Sequence, residues 1–549
     1  MKQVLNQWIK SSLAAYAQQK ELSISDLGDF EIIVSKDSTQ GDFASNVAFK
    51  LSRLTRQPPK KSAEDFFPTL KNQCPASVDR IEIGGAGFIN IYLVKSSLTD
   101  ILREIREKDS LYGQSEYGVG KKALVEFVSA NPTGPLTIAH GRQAIIGDTL
   151  VRLLRTSGYQ ADAEYYLNDA GRQMNLLGQS LWARYCQELG VEKPIPEEGY
   201  QGDYLAVIAK ALILEKGKSL LENEITGIEA CRLYAQETIM KGILEDLNTV
   251  DVHFQNIFSE RTLYQNKSIE AAFEDLRKAG HLYEQDGALW FKTTAFGDDK
   301  DRVVRKSTGE LTYIAPDIAY HREKFNRGYH WLVDLMGPDH HGYIVRLKAA
   351  CSALGFNPDQ LDIRIVQLTT LYRKGEPVRM STRSGEFVML RELVQEVGAD
   401  AARFFFLMRK VESHLDFDLD LAKEKSQDNP VYYLQYAHAR ISSLLRHAAQ
   451  SLKDDANTER LVSPEETELI KHLYDYVETI VHAAQTLEPY RLVEYLRDLA
   501  ASFHKFYSVH RVLSEDAALS QARLILIDAV RIVLRNGLNL LGVSAPESM

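Results

Sequence analysis

Hydrophobic and polar positions divide the 549-residue chain into three stretches of different periodicity. The first runs from residue 1 to about 110. It opens with MKQVLNQWIKSSLAAYAQQK, where polar and apolar residues alternate at helical spacing without a continuous apolar core, so it reads as a folded helix rather than a secretory signal. GDFASNVAFKLSRLTRQPPKKSAEDF follows, and then the strand-like RIEIGGAGFINIYL. In the second stretch, from 113 to about 420, short apolar runs rich in β-branched or aromatic residues (KALVEFV, AEYYLN, HWLVDLMG, DIRIVQLTTL) alternate with helical segments such as 141–156. Such alternation predicts a mainly parallel sheet covered on both faces. Residues from about 170 to 300 are largely helical and end near ALWFKTT, which reads as an insertion packed on that sheet. In the third stretch, from 421 to 549, NPVYYLQYAHARISSLLRHAAQ, PYRLVEYLRDLAASFHKFYSVHRVL and QARLILIDAVRIVLRNGLNLLGV all repeat apolar residues three and four apart, predicting a helical bundle. The domains expected are therefore 1–112, 113–420 and 421–549, with an α/β core flanked by an α+β unit and an all-α unit.

Composition narrows the class. At 44% hydrophobic and 26% charged, the chain is neither disordered nor low-complexity. No apolar run is long enough for a transmembrane helix, so no membrane partner is expected. A net charge of −10 argues against a protein coated in positive charge but leaves room for local basic patches. Cys74, Cys186, Cys231 and Cys351 form no C-x-x-C pair, which points to buried thiols in a reducing compartment.

Four segments carry candidate chemistry. Glu126-Phe-Val-Ser-Ala-Asn131-Pro-Thr-Gly-Pro-Leu-Thr137-Ile-Ala-His140 is a strand end, a Pro/Gly-rich turn and a helix start. A helix N-terminus suits phosphate, and Thr137 and His140, three apart, share one side of its first turn. Arg379-Met380-Ser381-Thr-Arg383 is a basic loop after a strand, of the kind that neutralises charge developing on a triphosphate. Tyr313-Ile-Ala-Pro-Asp317 places an acid where it would cap a helix over 318–324 or meet a cation. Gly337-Pro-Asp339-His340-His341-Gly follows a strand, at the carboxyl end where open parallel sheets bind ligands; with no third ligand at suitable spacing, no metal site is expected there. Gly217-Lys-Ser resembles the end of a phosphate loop, but Leu212 stands where that loop needs glycine. The cluster Lys50, Arg53, Arg56, Lys60 and Lys61 lies in a stretch without acids and reads as a solvated helix or as a phosphate-backbone surface.

The Ser-Ala-Asn-Pro-Thr-Gly-Pro-Leu segment ending at His140, followed about 240 residues later by Arg379-Met-Ser-Thr-Arg383, resembles the two signatures of class I aminoacyl-tRNA synthetases. Asn168-Asp-Ala-Gly-Arg172-Gln, Tyr200-Gln-Gly-Asp-Tyr204, Phe404-Phe-Phe-Leu and Asn429-Pro-Val-Tyr-Tyr-Leu-Gln-Tyr narrow the resemblance to the arginyl-tRNA synthetase family. The resemblance spans the chain, from Gly41-Asp-Phe to the C-terminal tail.

It implies a Rossmann-type catalytic domain with a helical insertion, an α+β N-terminal tRNA-binding domain and a helical anticodon-binding domain. It also implies ATP and Mg²⁺, L-arginine and tRNA(Arg) as partners, a cytoplasmic location and a monomer. Arginine's carboxylate would attack the α-phosphorus of ATP, and the arginyl group would pass to the terminal adenosine of tRNA. Glu126, Asp317, Tyr313 and Asn131 match the family's arginine-binding positions. Thr137, His140, Gly337, Asp339, His340 and Met380 fall at its ATP-binding positions, and Arg379, Ser381 and Arg383 in its second signature. The basic cluster, with Phe43, becomes the candidate tRNA-elbow surface, and Tyr432, Tyr433 and Tyr436 candidate anticodon contacts. Two departures stand out. Thr137 replaces the usual first histidine, and the second signature lacks its usual lysine, a charge we expect Lys121 or Lys122 to supply. The altered signatures also admit a catalytically inactive, tRNA-binding relative; a class I enzyme for another amino acid is the third reading.

Overall fold

The computed structural model describes residues 1–23, 27–35, 38–378, 388–448 and 456–549. In the first unit, α1 (Lys2–Lys20) precedes β1 (Ile32–Val34), β2 (Phe43–Ser45), α2 (Val47–Thr55), α3 (Pro59–Asn72), β3 (Val78–Gly84), β4 (Phe88–Leu93) and α4 (Lys95–Lys108). RIEIGGAGFINIYL folds as the β3–β4 hairpin, and the four strands pair antiparallel in the order β1-β2-β4-β3.

The central unit is built on a five-stranded parallel sheet of order β12-β11-β5-β6-β7. It starts in the middle with β5 (Lys122–Glu126) and crosses over through α5 (Ile138–Thr156) to β6 (Gln160–Leu167). Helices α6 (Arg172–Glu188), α7 (Tyr204–Lys216) and α8 (Glu224–Asn248) then lead to edge strand β7 (Asn256–Ser259). This corrects the single insertion expected over 170–300, because β7 returns the chain to the sheet and splits that stretch in two. Beyond it come α9 (Arg261–Gln265), α10 (Ser268–Lys278) and a separate antiparallel sheet of β8 (Leu282–Gln285), β9 (Ala288–Phe291) and β10 (Arg302–Arg305). The chain then returns through α11 (Ile314–Asn326) to the far side of β5, as β11 (Trp331–Met336), α12 (Ile344–Ala353) and β12 (Leu361–Ile365). The sheet therefore changes direction between β5 and β11, and a crevice opens outside the carboxyl ends of those two strands.

DIRIVQLTTL, read as one run, makes two strands. Its first half is β12, and its second half starts β13 (Thr369–Arg373), which pairs with β14 (Glu376–Pro377) and later with β15 (Leu415–Asp418). Between β14 and β15 lie α13 (Leu390–Val397) and α14 (Ala399–Leu407). After the short α15 (Leu419–Lys423), the last unit is the bundle α16 (Pro430–Ala448), α17 (Pro464–Tyr474), α18 (Tyr476–Thr486), α19 (Tyr490–Val509) and α20 (Ala517–Leu540).

The first unit and the bundle share a seam. Lys471 of α17, 6% exposed, donates to the Gly41 carbonyl at 3.1 Å and pairs with Asp42 at 3.3 Å. Phe43, fully buried, packs edge-on against Tyr474. Tyr112 stacks on Tyr476, and Asn536 caps the Asp109 and Tyr112 carbonyls. Burying a lysine beside large aromatics at one junction is stable only where its charge is met, as the Gly41 carbonyl and Asp42 meet that of Lys471. Helix α5, buried over Ala144–Val151, lies between the sheet and the bundle. Among the described residues, no helix is long and apolar enough to cross a membrane.

Candidate active site

The crevice is framed by the loops that follow β5 and β11. After Glu126 the backbone turns sharply, with Val128 at φ 68° and Ser129 at φ 39°. A β-branched residue in the left-handed region is strained, and such strain persists where neighbours impose it. Here they do. Ser129 Oγ donates to Glu126 Oε1 at 2.9 Å and accepts from the Tyr166 N–H at 3.0 Å. Tyr165 holds the Ala130 carbonyl at 2.6 Å, and Tyr204 holds that of Thr133. The 129–134 turn carrying Asn131 is thereby fixed from β6 and α7.

Thr137 is the N-cap of α5, and its N–H donates to His140 Nδ1 at 3.2 Å. Nδ1 is therefore an acceptor, which places the ring proton on Nε2. Burial lowers the His140 pKa and keeps the ring neutral. The result is a neutral imidazole with an Nε2–H donor at a helix N-terminus, an arrangement suited to an uncharged hydrogen bond to phosphate oxygen. The second signature connects here directly. Its core, Arg379, Met380, Ser381, Thr382 and Arg383, lies outside the described residues. The flanking residues join the two signatures: Val378 pairs with Leu371 at 2.8 Å, the Ile138 N–H reaches the Val388 carbonyl at 3.2 Å, and the Leu390 N–H reaches that of Leu136 at 2.9 Å. Arg142, fully buried two residues beyond His140, donates to the carbonyls of Gln367 (2.8 Å), Lys410 (3.1 Å) and Ser413 (2.9 Å). It fastens the start of α5 to the chain on either side of the second signature.

On the other side of the crevice, Gly337 follows β11, and a Cβ there would stand 2.7 Å from Asp339 Oδ1, so only glycine lets that carboxylate fold back. His340 lies 3.4 Å from Asp339. Asp317 is in the first turn of α11, which begins at Ile314, four residues before the helix expected over 318–324. Asp317 Oδ2 accepts from Tyr343 at 2.8 Å, and Tyr343 packs edge-on against the exposed Tyr313.

The electrostatics of the crevice differ from expectation. Glu126, Glu164 and Asp334 sit side by side in register on β5, β6 and β11. Glu126 already holds a cation: Lys324, completely buried, bridges Glu126 and Asp334. Arg327 and Tyr320 satisfy Glu164. Asp317 and Glu260, by contrast, have hydroxyl partners, and among the described residues no ion pair engages either. Burial raises the Asp317 pKa to about 7, with the charges of Glu126 and Glu260 adding to the rise against His321 and the Tyr343 hydrogen bond. Burial also raises Glu260, against the hydrogen bonds of Tyr166 and Tyr264. Glu126 and Asp317, expected to face an incoming cation together, thus differ in their partners: Glu126 meets Lys324, and Asp317 meets the Tyr343 hydroxyl. The two share one crevice, but the unpaired acids are Asp317 and Glu260.

Other sequence-based site residues fall elsewhere. Lys121 and Lys122 stand at the amino end of β5, Lys121 over the rings of Tyr117 and Tyr159. Four residues of strand, about 13 Å, separate Lys122 from Glu126 along the opposite direction. The structure brings neither lysine to the carboxyl end of β5, where Glu126 lies. Phe43 belongs to the seam and is no surface contact. Lys50, Arg53, Arg56 and Lys60 line α2 and the start of α3, while Lys61 pairs with Asp65 at 3.2 Å and with Glu64. Tyr436 is half-buried, stacked between Tyr432 and His504. Sequence reasoning missed Lys324, Glu260, Ser129 and Tyr343. One signal was available: an acid late in each of three apolar strand runs, facing a helix with Asp317, His321, Lys324 and Arg327 three or four apart.

Family models match the whole length of this architecture. The arginyl tRNA synthetase N terminal domain matches residues 3–93, the catalytic domain of class I (R) tRNA synthetases matches 101–414, and the DALR anticodon binding domain matches 434–549. Curated arginine–tRNA ligases from Desulfosudis oleivorans and Bacillus subtilis are 46% and 43% identical, covering 100% of this chain and 100% and 99% of their own. The chain belongs to the arginyl-tRNA synthetase family. It is a class I ligase, and nothing in these comparisons favours an inactive relative or another amino acid. The arginyl-tRNA synthetase of Thermus thermophilus shares its fold over 100% of both chains, with a TM-score of 0.78 at 21% identity. Membership gives the Rossmann-type sheet, the N-terminal unit and the helical bundle their family counterparts.

Proposed function

We propose that the crevice between β5 and β11 binds arginine with its guanidinium against Asp317 and Glu260, and ATP along His140 and the Gly337 loop. The observation that carries this reading is a pair of carboxylates, Glu260 buried and Asp317 half-buried, without a cation partner among the described residues. Their ionised forms are costly until a positive head arrives, and a planar guanidinium offers donors to both at once. Tyr313 and Tyr343 line the entrance, and Asn131 on its braced turn faces the amino-acid end. Nε2–H of His140 and the first turn of α5 take a phosphate oxygen, with Thr137 acting through His140 by fixing its tautomer. Arg379 and Arg383 supply the cationic charge of the second signature. In the first step the arginine carboxylate attacks the α-phosphorus and pyrophosphate leaves; the 2′-hydroxyl of the tRNA's terminal adenosine then takes the arginyl group and AMP leaves. Positioning and electrostatic stabilisation supply the acceleration.

Among the described residues no group of three His, Cys, Asp or Glu could hold a metal ion. In this reading Mg²⁺ comes with the nucleotide substrate, and no residue is assigned to it. The basic surface of α2 and α3 would meet the tRNA elbow, and the Tyr432–Tyr436–His504 stack the anticodon loop, where splayed bases find aromatic faces. The chain would act as a monomer in the cytoplasm.

The test is charging of tRNA with labelled arginine, with lysine and citrulline as competitors. Arginine should be incorporated and neither competitor should displace it, because citrulline lacks the charge and lysine the planar fork. Competition by citrulline at concentrations similar to arginine would refute the carboxylate pocket.

A further inference from the structure

Helix α11 meets the sheet through charge. Asp317, His321 and Lys324 follow one another at spacings of four and three, with Tyr320 and Arg327 beside them, so one side of the helix faces the strand ends. Opposite stand the three registered acids. His321 Nε2 lies 2.9 Å from Asp334 Oδ2, and its Nδ1 2.8 Å from the Asp317 carbonyl. Lys324 Nζ lies 2.8 Å from Asp334 Oδ1, contacts Glu126 Oε2, and sits 4.4 Å from the centre of the Tyr320 ring. Tyr320 and Arg327 donate to Glu164 Oε1 at 2.6 and 2.8 Å. Both oxygens of Glu126 are thus spoken for, one by Lys324 and the other by Ser129.

We propose that Lys324 is a positioning residue for arginine specificity: it is a built-in cation that fixes the Glu126 carboxylate and partly offsets the charge of Glu126 and Asp334, so that the crevice accepts one exogenous cationic head, at Asp317 and Glu260. This inference rests on the arginine pocket proposed above. Without the ammonium, Glu126 and Asp334 become uncompensated buried acids beside Asp317. They would attract the guanidinium into the wrong position or take up protons, and α11, which carries Asp317, would lose its fastening to the sheet.

The experiment compares Lys324→Met with Lys324→Gln, which keeps an N–H donor but no charge, and with Asp317→Asn. Arginine and ATP KM values are measured in tRNA charging. We expect both Lys324 variants to raise the arginine KM about tenfold or more while the ATP KM stays within about twofold, a split that general destabilisation would not produce. Lys324→Arg, which retains the charge, should bring the arginine KM back toward that of the unaltered chain. If Asp317→Asn leaves the arginine KM unchanged, the pocket itself is wrong. If Asp317→Asn raises it and the folded Lys324 variants do not, or if their arginine and ATP values rise together, the positioning role is refuted. Failure of both neutral variants to fold, as read by circular dichroism, would reduce Lys324 to a stabiliser of the fold and would also overturn the proposal.

Discussion

Asp317 makes arginine binding depend on pH in a direction the structure dictates. In the unliganded crevice its carboxyl titrates near 7, because burial and the neighbouring charges of Glu126 and Glu260 oppose ionisation. Guanidinium binds the ionised form. The competent fraction is then about 0.1 at pH 6 and 0.9 at pH 8, and since apparent Kd scales inversely with that fraction, arginine should bind about tenfold more tightly at pH 8, roughly 1.4 kcal/mol. Stability follows the opposite sign. A carboxyl whose folded pKa is raised stabilises the fold below its unfolded value of about 4, and loses that contribution as pH rises toward 7. Ionised Asp317 regains a partner when arginine binds, so the rise in Tm caused by saturating arginine should grow between pH 5 and 8. Calorimetric titration of arginine from pH 5.5 to 8.5, in buffers of different ionisation enthalpy, reads both the affinity and the proton released. Asp317→Asn should flatten the profile and weaken binding by about 1.5–3 kcal/mol, the worth of a hydrogen bond to a charged group. A flat profile in the unaltered chain, or the same slope in the Asn variant, would refute the assignment.

Replacing His140 with Ala should lower arginine-dependent pyrophosphate exchange by about 10²–10³-fold, the usual effect of losing one preorganised donor, with arginine affinity retained; equal losses of both would place the ring elsewhere. Lys121→Ala and Lys122→Ala should each leave pyrophosphate exchange within about twofold of the unaltered chain, since the Lys122 backbone stands four strand residues, about 13 Å, from Glu126 and Lys121 one residue further. A strong loss in either variant would contradict that placement.

Strand runs such as KALVEFV and HWLVDLMG could be read from the sequence because burial on both faces leaves few choices of residue. Three helices of the bundle, α16, α19 and α20, are legible for a related reason: each repeats its apolar face over about five turns or more, whereas α17 and α18, of 11 residues each, are too short to stand out. β7 escaped notice because NIFS is four residues long and flanked by polar ones, so a local window cannot distinguish it from a loop. The site was half legible. Thr137 and His140 are three apart in sequence, so their contact is local. The pairing of Lys324 with Glu126 joins residues 198 apart and depends on strand register, which no local pattern records. The same limit misplaced Lys121 and Lys122: nearness to Glu126 in sequence suggested nearness in space, but an extended strand carries the chain away at about 3.3 Å per residue.

The seam between the first unit and the bundle bears on how the chain can be cut. Tyr474, Tyr476 and Leu473 on the bundle side are buried, and Phe43, Tyr112 and the Gly41 carbonyl lie among the groups across from them. Removing the first hundred or so residues would take away the Gly41 and Asp42 partners of Lys471 and open the apolar faces of Leu473, Tyr474 and Tyr476 to water. The N-terminal unit is thus no detachable appendage but part of the wall that keeps the bundle from aggregating, and shortened versions of the chain should be insoluble before they are inactive.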